Sequence, residues 1–413
     1  MLRKPRVLII GGGIGGLTGA LALERQQLDV IVCEQSPQLS EVGAGIGLAP
    51  NAIKALRALG LEKKLNAIAW KSENAVIRSW KDGRLISRAY QGDYSKRFGA
   101  PSLTVHRADL LDVLAGALTT TDVRLGLRCV GAESSLHGAT AHFADGSALE
   151  ADVVIGADGI HSKVRESLFG IDAPRFTGCV CFRGMVPVDA VPRDINVRDV
   201  TLWMGPHGHV VHYLVRRGEL LNIVAHVDSE GWKEESWTRE CGVDEVVATY
   251  ARWNSALTRV FSASPLWYKW ALYDRDPPEQ WSKGRVTLLG DSAHAMLPYL
   301  GQGAAMAIED ACILSARIAL AGDDLEGALL AYERVRLPRV RAAVFGSRAR
   351  AQANHLTSPW ARFKRDLSYV WRKRFGGDTT AFQAGHLYEY DAGQELASAF
   401  AAPLSTTEIG RFE

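Results

Sequence analysis

Three glycines near the N-terminus have the spacing of a phosphate-binding turn. Gly11, Gly13 and Gly16 form a Gly-x-Gly-x-x-Gly pattern that encloses Ile14 and Gly15. Gly11 would permit a tight turn, Gly13 would let the backbone approach a pyrophosphate, and Gly16 would let a helix pack closely on a strand. Because the free N–H groups of a helix N-terminus attract anions, this segment predicts a site for the phosphates of a dinucleotide.

The residues around these glycines predict the elements that must position them. Residues 6–10 form an apolar, β-branched run that is typical of a buried parallel strand, and residues 17–25 have the pattern of the following helix. A second strand over residues 30–33 ends at Glu34, about 20 residues beyond the glycines, where a carboxylate binds a ribose hydroxyl. A glycine-rich turn without a ligand would not explain the strand, the helix and the terminal acid together. This segment alone does not separate FAD from NAD.

Two aspartates farther along the chain also follow apolar, strand-like runs. Asp158 lies in a Gly-Ala-Asp-Gly sequence, and Asp291 lies in Gly-Asp-Ser-Ala-His. Asp158 could be only a turn residue at the end of a strand, and Asp291 could be only a helix N-cap. Because a pyrophosphate is an anion, a carboxylate beside it would bond hydroxyls or water instead. Gly301 and Gly303 flank the start of a predicted long helix, whose N–H groups would stabilise negative charge on a reduced flavin ring. These segments, in this order over roughly 290 residues, indicate an enzyme that holds FAD.

The composition limits the class of protein. The chain has 413 residues, and its 48 basic and 46 acidic side chains leave a net charge of +2, which gives no reason to expect nucleic acid as a partner. The length suits two or three domains. The cysteines are scattered, and Cys179-x-Cys181 lacks the second pair of a metal site, so we expect no metal, reduced thiols and a cytoplasmic location. No apolar run approaches the ~18 residues of an integral membrane segment.

The predicted elements alternate between two kinds of domain. We expect an α/β fold in which a discontinuous, Rossmann-like FAD-binding domain carries an inserted, mainly antiparallel β-sheet domain for the substrate, followed by a helical C-terminal region. The expected boundaries are residues 1–73, 101–176 and 276–345 for the FAD-binding domain, 74–100 and 177–275 for the substrate domain, and 346–413 for the C-terminal region.

This arrangement resembles the class A flavoprotein monooxygenases, the fold group of p-hydroxybenzoate hydroxylase, over roughly residues 5–345. The Gly-Ala-Asp-Gly sequence with Arg165 resembles the DG motif of that family, and Gly-Asp at 290–291 resembles its GD motif. Residues 294–303 are most similar to the salicylate 1-hydroxylase and 3-hydroxybenzoate 6-hydroxylase branch. The resemblance implies bound FAD, NADH or NADPH as co-substrate, and O2, with hydroxylation of a small aromatic substrate through a flavin C4a-hydroperoxide.

The resemblance also implies which residues contact the cofactor. They comprise the glycine turn and the acid that follows it, the DG and GD aspartates, an arginine placed against FAD, and segments around the flavin ring. The expected FAD-contacting residues are Gly11, Gly13, Ile14, Gly15, Gly16, Glu34, Gln35, Gly45, Arg107, Val130, Asp158, Asp291, Pro298, Gly301, Gly303 and Ala304.

The candidate catalytic base lies on a strand predicted over residues 207–215. Alternation along this strand would place His207, His209 and Tyr213 on one face, with His212 on the other. In the resembled branch, a histidine matching His209 acts near the substrate phenol, and a tyrosine matching Tyr213 shares its face. The ordinary pKa of histidine suits proton transfer near neutral pH. A structural histidine on a half-buried sheet is the alternative interpretation.

One departure from the branch bears on the substrate. The 3-hydroxybenzoate enzymes carry a glutamine where this chain has Pro298, and proline has neither a polar side chain nor an N–H to bond a substrate. The sequence therefore favours a salicylate-like phenolic acid, with 3-hydroxybenzoate, 6-hydroxynicotinate or another aromatic compound as alternatives. Arg183 and Arg216 are candidate partners for the substrate carboxylate, because arginine forms bidentate pairs with carboxylates.

The remaining chemistry-bearing residues have structural interpretations. His212 and His226 are expected in the core or at the surface, and His294 is expected to be structural or close to the flavin. The basic, aromatic segment 360–375 could meet a membrane surface or nucleic acid, but a solvated helix face or a subunit contact in a homodimer is favoured. Because fold does not fix function, a flavin reductase, dehydrogenase or epoxidase, or a flavin-binding sensor without turnover, also fits the sequence.

Overall fold

The computed structural model describes residues 4–39, 44–229, 231, 239–374 and 381–401 of the chain. Strands and helices are interspersed up to Leu288, and the described elements after it are all helical. The strands are β1 (Arg6–Ile10), β2 (Asp29–Glu34), β3 (Gly45–Leu48), β4 (Asn74–Ser79), β5 (Leu85–Tyr90), β6 (Leu103–His106), β7 (Asp122–Leu125), β8 (Cys129–Ser134), β9 (Ala139–Phe143), β10 (Ala148–Ala151), β11 (Val153–Gly156), β12 (Arg175–Pro187), β13 (Val200–Gly205), β14 (Gly208–Val215), β15 (Leu220–Asp228), β16 (Glu240–Cys241), β17 (Trp267–Asp274), β18 (Ser282–Lys283) and β19 (Val286–Leu288).

The helices surround the sheets and continue to the end of the described ranges. They are α1 (Ile14–Arg25), α2 (Pro50–Ala58), α3 (Glu62–Ile68), α4 (Tyr94–Phe98), α5 (Arg107–Ala115), α6 (Lys163–Phe169), α7 (Val243–Thr249), α8 (Ser255–Ser262), α9 (Asp291–His294), α10 (Gly303–Ala319), α11 (Leu325–Asn354), α12 (Pro359–Arg374), α13 (Ala381–Glu389) and α14 (Ala392–Ala401). Among these helices, none has the length and apolar content needed to cross a membrane.

A six-stranded sheet with the order β18-β19-β11-β1-β2-β7 brings the predicted cofactor residues together. Its central strand β1 is almost wholly buried, as expected for a parallel strand that is covered on both faces. β1 runs parallel to β2 and β11, so that Ile10 pairs with Cys33 on one side and Gly156 on the other. The carboxyl ends of these strands therefore meet at one edge, where the glycine turn, Glu34 and Asp158 follow.

The second large sheet has eight strands in the order β16-β17-β12-β15-β14-β13-β4-β5. Its neighbours are antiparallel except β13 and β4, which run parallel, so the strands from residues 74–90 join those from residues 175–274. Apolar side chains of one face, such as Val210 and Ile223, form a core with α7 and α8. Because side chains alternate along a strand, His209 and Tyr213 of β14 lie on the opposite face.

Small side chains allow α10 to lie among several other helices. α10 contacts α1, α2, α11 and α14, and its Ala305 and Ala311 are fully buried in the main core. Alanine at such positions permits close approach of the helix axes. Leu387 of α13 and Leu396 of α14 belong to the same core. The last described helices therefore stabilise the six-stranded-sheet side of the molecule.

The fold class expected from the sequence is confirmed, whereas two local boundaries differ. The first helix begins at Ile14 rather than at residue 17, so its N-terminus lies inside the glycine turn. The strand of the candidate base begins at Gly208, and the expectation that His207 shares the face of His209 is wrong. His207 occupies the two-residue turn between β13 and β14, with φ of 58°. Proline followed by a residue with positive φ is the pattern of a type II turn, which ends the alternation.

Candidate active site

A cavity of about 1040 Å³ lies between the carboxyl edge of the six-stranded sheet and one face of the eight-stranded sheet. This volume is at the upper end of the range for small-molecule sites, so the cavity has room for a large cofactor beside a small substrate. His209, Tyr213 and all of the expected FAD-contacting residues except Gly16 and Val130 line the cavity.

The glycine turn closes over the end of β1 and exposes its backbone to the cavity. Gly11 has φ of +110°, and a Cβ there would lie 2.3 Å from the carbonyl oxygen of Ala157. A Cβ on Gly16 would lie 1.9 Å from the carbonyl oxygen of Gly11, so Gly16 serves the packing of α1 on the turn instead of lining the cavity. At Gly13, the N-cap of α1, an added Cβ would meet nothing within 4 Å. The helix therefore presents bare N–H groups to open space.

Glu34 is held at the end of β2 by two backbone donors. Its Oε2 accepts a hydrogen bond from Gly12 N at 2.6 Å, and its Oε1 accepts one from Ser36 N at 2.8 Å. Gln35, the next residue, also lines the cavity. This pair of bonds fixes the carboxylate beside the glycine turn, where it can accept a further bond from a ligand hydroxyl.

Val130 lies on β8, is 46% exposed as a residue and does not line the cavity. Its neighbours Arg128 and Cys129 line the cavity instead. The register of β8 shifts between Cys129 and Gly131, which marks a bulge at this point. The structure thus brings the residues beside Val130, and not Val130 itself, to the site.

Asp158 follows β11 and binds the start of α6, whose N-cap is Ser162, and it also lines the cavity. Its Oδ2 accepts hydrogen bonds from the backbone N–H groups of Lys163 and Val164, and its Oδ1 accepts one from the Ser162 hydroxyl at 2.5 Å. Burial raises the pKa of the Asp158 carboxyl in spite of these donors. Arg165 on the same helix donates to the carbonyl of Ala293 at 3.2 Å, which ties the DG segment to the GD segment.

Asp291 begins the short helix α9, and its side chain is exposed at the cavity wall. The N-cap position belongs to Gly290, whose N–H donates to Asp310 Oδ2 at 3.1 Å. The same Asp310 oxygen lies 2.5 Å from His294 Nε2. Asp310 therefore holds the backbone of the GD segment in place, and the Asp291 carboxylate points where a ligand hydroxyl could bond it.

A fully buried ion cluster stands behind the GD segment. Arg336 of α11 donates to Asp310 Oδ1 at 2.7 Å and to Glu309 Oε2 at 2.6 Å. Asn51 Nδ2 donates to Glu309 Oε1 at 2.6 Å and to Gln302 Oε1 at 3.1 Å. Burial alone would raise the pKa of Asp310, but His294 and Arg336 hold it at about 2. The cluster links α2, α10 and α11 beneath the cavity.

The side of the cavity expected to face the flavin ring is formed by backbone-rich segments. Gly301, with φ of 61°, and Gly303, the first residue of α10, lie on either side of Gln302. Pro298 and Ala304 line the cavity beside them, as does Arg107 at the start of α5. The predicted cofactor segments thus meet along one continuous wall.

His209 and Tyr213 of β14 lie at the substrate end of the cavity. His209 is 2% exposed, and burial, followed by the charges of His226, His355 and Arg350, lowers its pKa well below the ordinary value. Burial raises the pKa of Tyr213 to about 12, so its hydroxyl stays protonated and can donate a hydrogen bond. A neutral imidazole can take a proton from a bound phenol, and a phenolic donor farther along the same strand face can orient the ring.

The structure adds a second histidine to the cavity wall. His226 of β15 pairs in register with His209, and the two rings stack at 4.4 Å between centroids. Tyr299 contacts both rings edge-on. His226 was expected in the core or at the surface, because the sequence does not give the register between β14 and β15. His212, on the other face, is buried, and burial lowers its pKa to about 3.

The two candidate carboxylate partners are separated by the structure. The Arg183 guanidinium lines the cavity and lies 4.3 Å from the centroid of the Trp270 ring. Arg216 instead pairs with Asp109, with Nη2 2.8 Å from Oδ1, and its partly exposed side chain does not line the cavity. Arg183 is thus the arginine positioned to meet a substrate carboxylate.

Among the described residues, one trio of Cys179, Asp228 and His355 places potential metal-ligand atoms within 4.8 Å of one another. Burial raises the pKa of the Cys179 thiol to about 12, and Tyr299 donates to its sulfur at 3.3 Å. Asp228 and His355 bond each other directly at 2.5 Å. We therefore describe this trio by its hydrogen bonds.

Comparison with known proteins agrees with this geometry. The FAD binding domain family matches residues 4–347. A 3-amino-4-hydroxybenzoate 2-monooxygenase of Streptomyces platensis is 42% identical over 90% of this chain and 94% of its own. A 3-hydroxybenzoate 6-hydroxylase of Polaromonas naphthalenivorans is 38% identical over 89% and 92%. A salicylate hydroxylase solved as a substrate complex is 27% identical, covers 98% of this chain and 100% of that one, and superposes with a TM-score of 0.82.

The chain belongs to the FAD binding domain family. It is a class A flavoprotein monooxygenase, that is, an FAD-dependent aromatic hydroxylase. The residues present fit the cofactor: the space at Gly13 is open, the N-terminus of α1 carries no acidic residue in its first turn, and Glu34 and Asp291 present carboxylates to the cavity.

Proposed function

We propose that this enzyme uses NADH or NADPH and O2 to hydroxylate a phenolic aromatic acid, with His209 as the base for the phenol and Tyr213 as a positioning donor. The observation that carries the proposal is the juxtaposition of His209 and Tyr213 with the glycine turn, Glu34 and Asp291 around one cavity. The reaction requires a base at the substrate end of the cavity and a binding site for the dinucleotide cofactor at the other end.

The substrate class follows from the cavity wall and from the relatives. The Arg183 guanidinium supports a carboxylate on the substrate, and His209 supports an acidic hydroxyl on the same ring. The relative with 42% identity acts, by its name, on 3-amino-4-hydroxybenzoate, which carries both groups. The salicylate-like preference from Pro298 remains a second candidate, supported by the salicylate hydroxylase structure. We therefore place 3-amino-4-hydroxybenzoate first among the substrates to test.

The residues of the chain bind, orient and deprotonate the substrate. FAD, once reduced by the nicotinamide co-substrate, supplies the activated oxygen. The apolar wall of Leu202, Val211 and Val224 excludes water from the ring. His209 accepts the phenolic proton, which increases the electron density of the ring, and the protonated Tyr213 hydroxyl orients the substrate.

The cysteines and the exposed aromatic residues bear on the location and the oligomeric state of the protein. The six cysteines are all free thiols, which supports a reducing compartment such as the cytoplasm. Exposed aromatic side chains on α12, including Trp360 and Trp371, support a contact between two copies of the chain, as in a homodimer.

A substrate panel tests the activity. Salicylate, 3-hydroxybenzoate, 6-hydroxynicotinate and 3-amino-4-hydroxybenzoate are each supplied with NADH or NADPH, and cofactor consumption is measured with product mass under labelled O2. One acid should stimulate cofactor oxidation and gain one labelled oxygen atom; salicylate would release CO2 and give catechol. Label found only in hydrogen peroxide with every acid would instead indicate an oxidase or an uncoupled reductase.

His209→Ala tests the base. The variant should retain FAD, because β14 belongs to the eight-stranded sheet, while hydroxylation falls by about 10²–10⁴-fold and hydrogen peroxide rises. Tyr213→Phe should lose less hydroxylation activity than His209→Ala if the Tyr213 hydroxyl only orients the ring. His207→Asn, in the adjoining turn and outside the cavity, is the control. Product per NADH is the deciding ratio, and an unchanged ratio with near-normal turnover in His209→Ala would remove His209 from the mechanism.

A further inference from the structure

A line of three side chains leads from the cavity to the protein surface. His209 Nδ1 lies 2.7 Å from Nε2 of His355, which caps the C-terminus of α11. His355 Nδ1 lies 2.5 Å from Oδ1 of Asp228, at the end of β15. Side-chain exposure rises along the line, from a buried His209 to 10% for His355 and 40% for Asp228. His209 lines the cavity, whereas His355 and Asp228 stand behind its wall.

The hydrogen-bonding capacities of these groups assign their tautomers. A carboxylate can only accept, so His355 Nδ1 carries a proton that it donates to Asp228. His355 Nε2 is then an acceptor in the neutral ring, and His209 Nδ1 must donate to it. His209 is left with Nε2 as its acceptor nitrogen. A base needs an acceptor nitrogen of this kind. Asp228, acting through its bond to His355, determines that the acceptor of His209 is Nε2.

We propose that His355 and Asp228 form a proton relay that carries the phenolic proton of the substrate from His209 towards solvent. This inference rests on the proposed function, in which His209 is the base. In the transfer, the O–H bond of the phenol breaks as an N–H bond forms at His209 Nε2. The Nδ1–H bond of His209 breaks as an N–H bond forms at His355 Nε2. The products are a bound phenolate, a neutral His209 that carries its proton on Nε2, and a His355 imidazolium paired with Asp228. The imidazolium then releases one proton to water.

The surroundings explain why His209 needs a relay. His209 is buried and stacked on His226, and Arg350 adds a positive charge nearby, so a lasting charge on His209 is disfavoured. His355 has an anionic partner that His209 lacks. The relay therefore moves the positive charge from a position where it is costly to one where a carboxylate stabilises it.

Other groups that titrate or carry charge also face the relay. His226 and Tyr299 pack against His209, Cys179 lies near Asp228 and His355, and His207 Nδ1 is 3.6 Å from Asp228 Oδ2. His207 approaches the carboxylate from the exposed turn and makes no contact with the cavity. It therefore offers a matched control, because it shares the Asp228 neighbourhood without belonging to the line.

The first experiment measures ionisation of a bound phenol without turnover. The oxidised, FAD-loaded enzyme is mixed with 4-hydroxy-3-nitrobenzoate, whose phenolate absorbs visible light, and the difference spectrum is followed from about pH 5 to pH 9. In Asp228→Asn and His355→Gln, the apparent pKa of the bound probe should rise by at least about one unit, because the charge that stabilises the transferred proton is lost. His207→Asn should match the wild type, and FAD content should not change in any of these variants.

The pattern of variants separates the relay from the base. If His209→Gln raises the apparent pKa of the probe and the two relay variants do not, the relay is refuted while the base stands. If His209→Gln has no effect either, the proposed role of His209 fails as well. Loss of the wild-type signal on adding EDTA would overturn the relay in favour of a bound cation.

A second readout uses turnover with the acid found in the substrate panel. Relay variants should hydroxylate poorly at neutral pH and recover at alkaline pH, where the substrate enters already ionised. Added imidazole should partly restore His355→Ala at neutral pH. Equal losses at all pH values, with no rescue, would indicate a purely structural role for His355 and Asp228.

Discussion

Glu34 accepts a hydrogen bond from Gly12 N across 2.6 Å, so that the acid at the end of β2 and the glycine turn at the end of β1 form one unit. The second carboxylate oxygen is held by Ser36 N. The carboxylate is therefore oriented before a ligand arrives, and little conformational entropy remains to be lost when a ribose hydroxyl binds it.

Removing this carboxylate should weaken FAD binding. Wild-type protein should be yellow, with one FAD per chain held without a covalent bond. Glu34→Ala should raise the FAD dissociation constant by about 10–100-fold, since hydrogen bonds to charged groups contribute about 1.5–3 kcal/mol. Flavin fluorescence during titration of the apoprotein measures this constant. Glu133→Ala, on the exposed side of β8, should bind FAD as the wild type does. Equal affinity in Glu34→Ala would contradict a ribose contact.

The buried ion cluster predicts a loss of stability when one partner is removed. Arg336→Met removes the buried cation that Glu309 and Asp310 share, whereas Glu309 keeps Arg339 and Asp310 keeps His294. Because removing one partner of a buried ion pair costs about 3–5 kcal/mol when the remaining charge is unpaired, the unfolding free energy should fall by about 3 kcal/mol, the lower end of that range. Since Asp310 also holds Gly290 N, flavin retention should fall together with stability. Urea unfolding measures the change in stability, and flavin absorbance per chain of the purified variant measures flavin retention. Arg334→Met, exposed on the same helix, should change neither, and an Arg336→Met protein of wild-type stability would refute the argument.

Close contacts at Gly45 predict that a single methyl group disturbs the substrate end of the cavity. A Cβ on Gly45 would lie 2.6 Å from Asn222 Cγ and 2.8 Å from Tyr213 Cε2. Gly45→Ala should therefore displace Tyr213 and break the hydrogen bond from Gly45 N to Asn222 Oδ1. As a result, the variant should form less product per NADH consumed. Gly242→Ala, where an added Cβ meets nothing within 4 Å, is the control. Normal coupling in Gly45→Ala would show that Tyr213 does not orient the substrate.

The FAD-binding segment at residues 6–34 was predictable from sequence because its sequence pattern is local. A buried strand, a glycine turn, a helix and an acid follow one another within residues 6–34, and their spacing alone determines how they meet. The mixed α/β class was predictable for the same reason, since strand and helix periodicities differ. The sequence left Asp158 open between a turn residue at the end of a strand and a ligand contact, and the structure shows a carboxylate that accepts from the first N–H groups of α6 and also lines the cavity.

The substrate end depends on contacts between distant residues, so the sequence could not supply it. His209 meets His355 across 146 positions, and no local pattern around His355 indicates that partner. The stacking of His209 on His226 follows from the register of two antiparallel strands, and a shift of one residue would have turned His226 to the other face. His207 was misplaced because a tight turn interrupted the alternation that the pattern assumed.

Glu24 at the end of α1 predicts part of the acid sensitivity of the fold. Its carboxylate accepts bonds from the backbone N–H groups of Thr119, Thr120 and Thr121 and from the hydroxyls of Thr119 and Thr121, which ties α1 to the segment before β7. Burial alone would raise the pKa of Glu24, but these donors together lower it to about 2. Because the folded pKa lies below the ordinary value of about 4.3, the stabilisation is complete above that value and is lost as the pH falls towards 2.

Glu24→Gln should therefore lower the melting temperature most at neutral pH and progressively less as the pH falls from about 4.5 to 2. Glutamine keeps the shape of the side chain, but its amide nitrogen faces N–H groups that it cannot accept from. Melting curves of the two proteins between pH 7 and the acid limit of folding measure the difference. Glu133→Gln, whose exposed carboxylate pairs with His142, should leave the pH dependence of melting close to that of the wild type. A gap between wild type and Glu24→Gln that stays constant across this pH range would show that the Glu24 carboxylate does not titrate with folding.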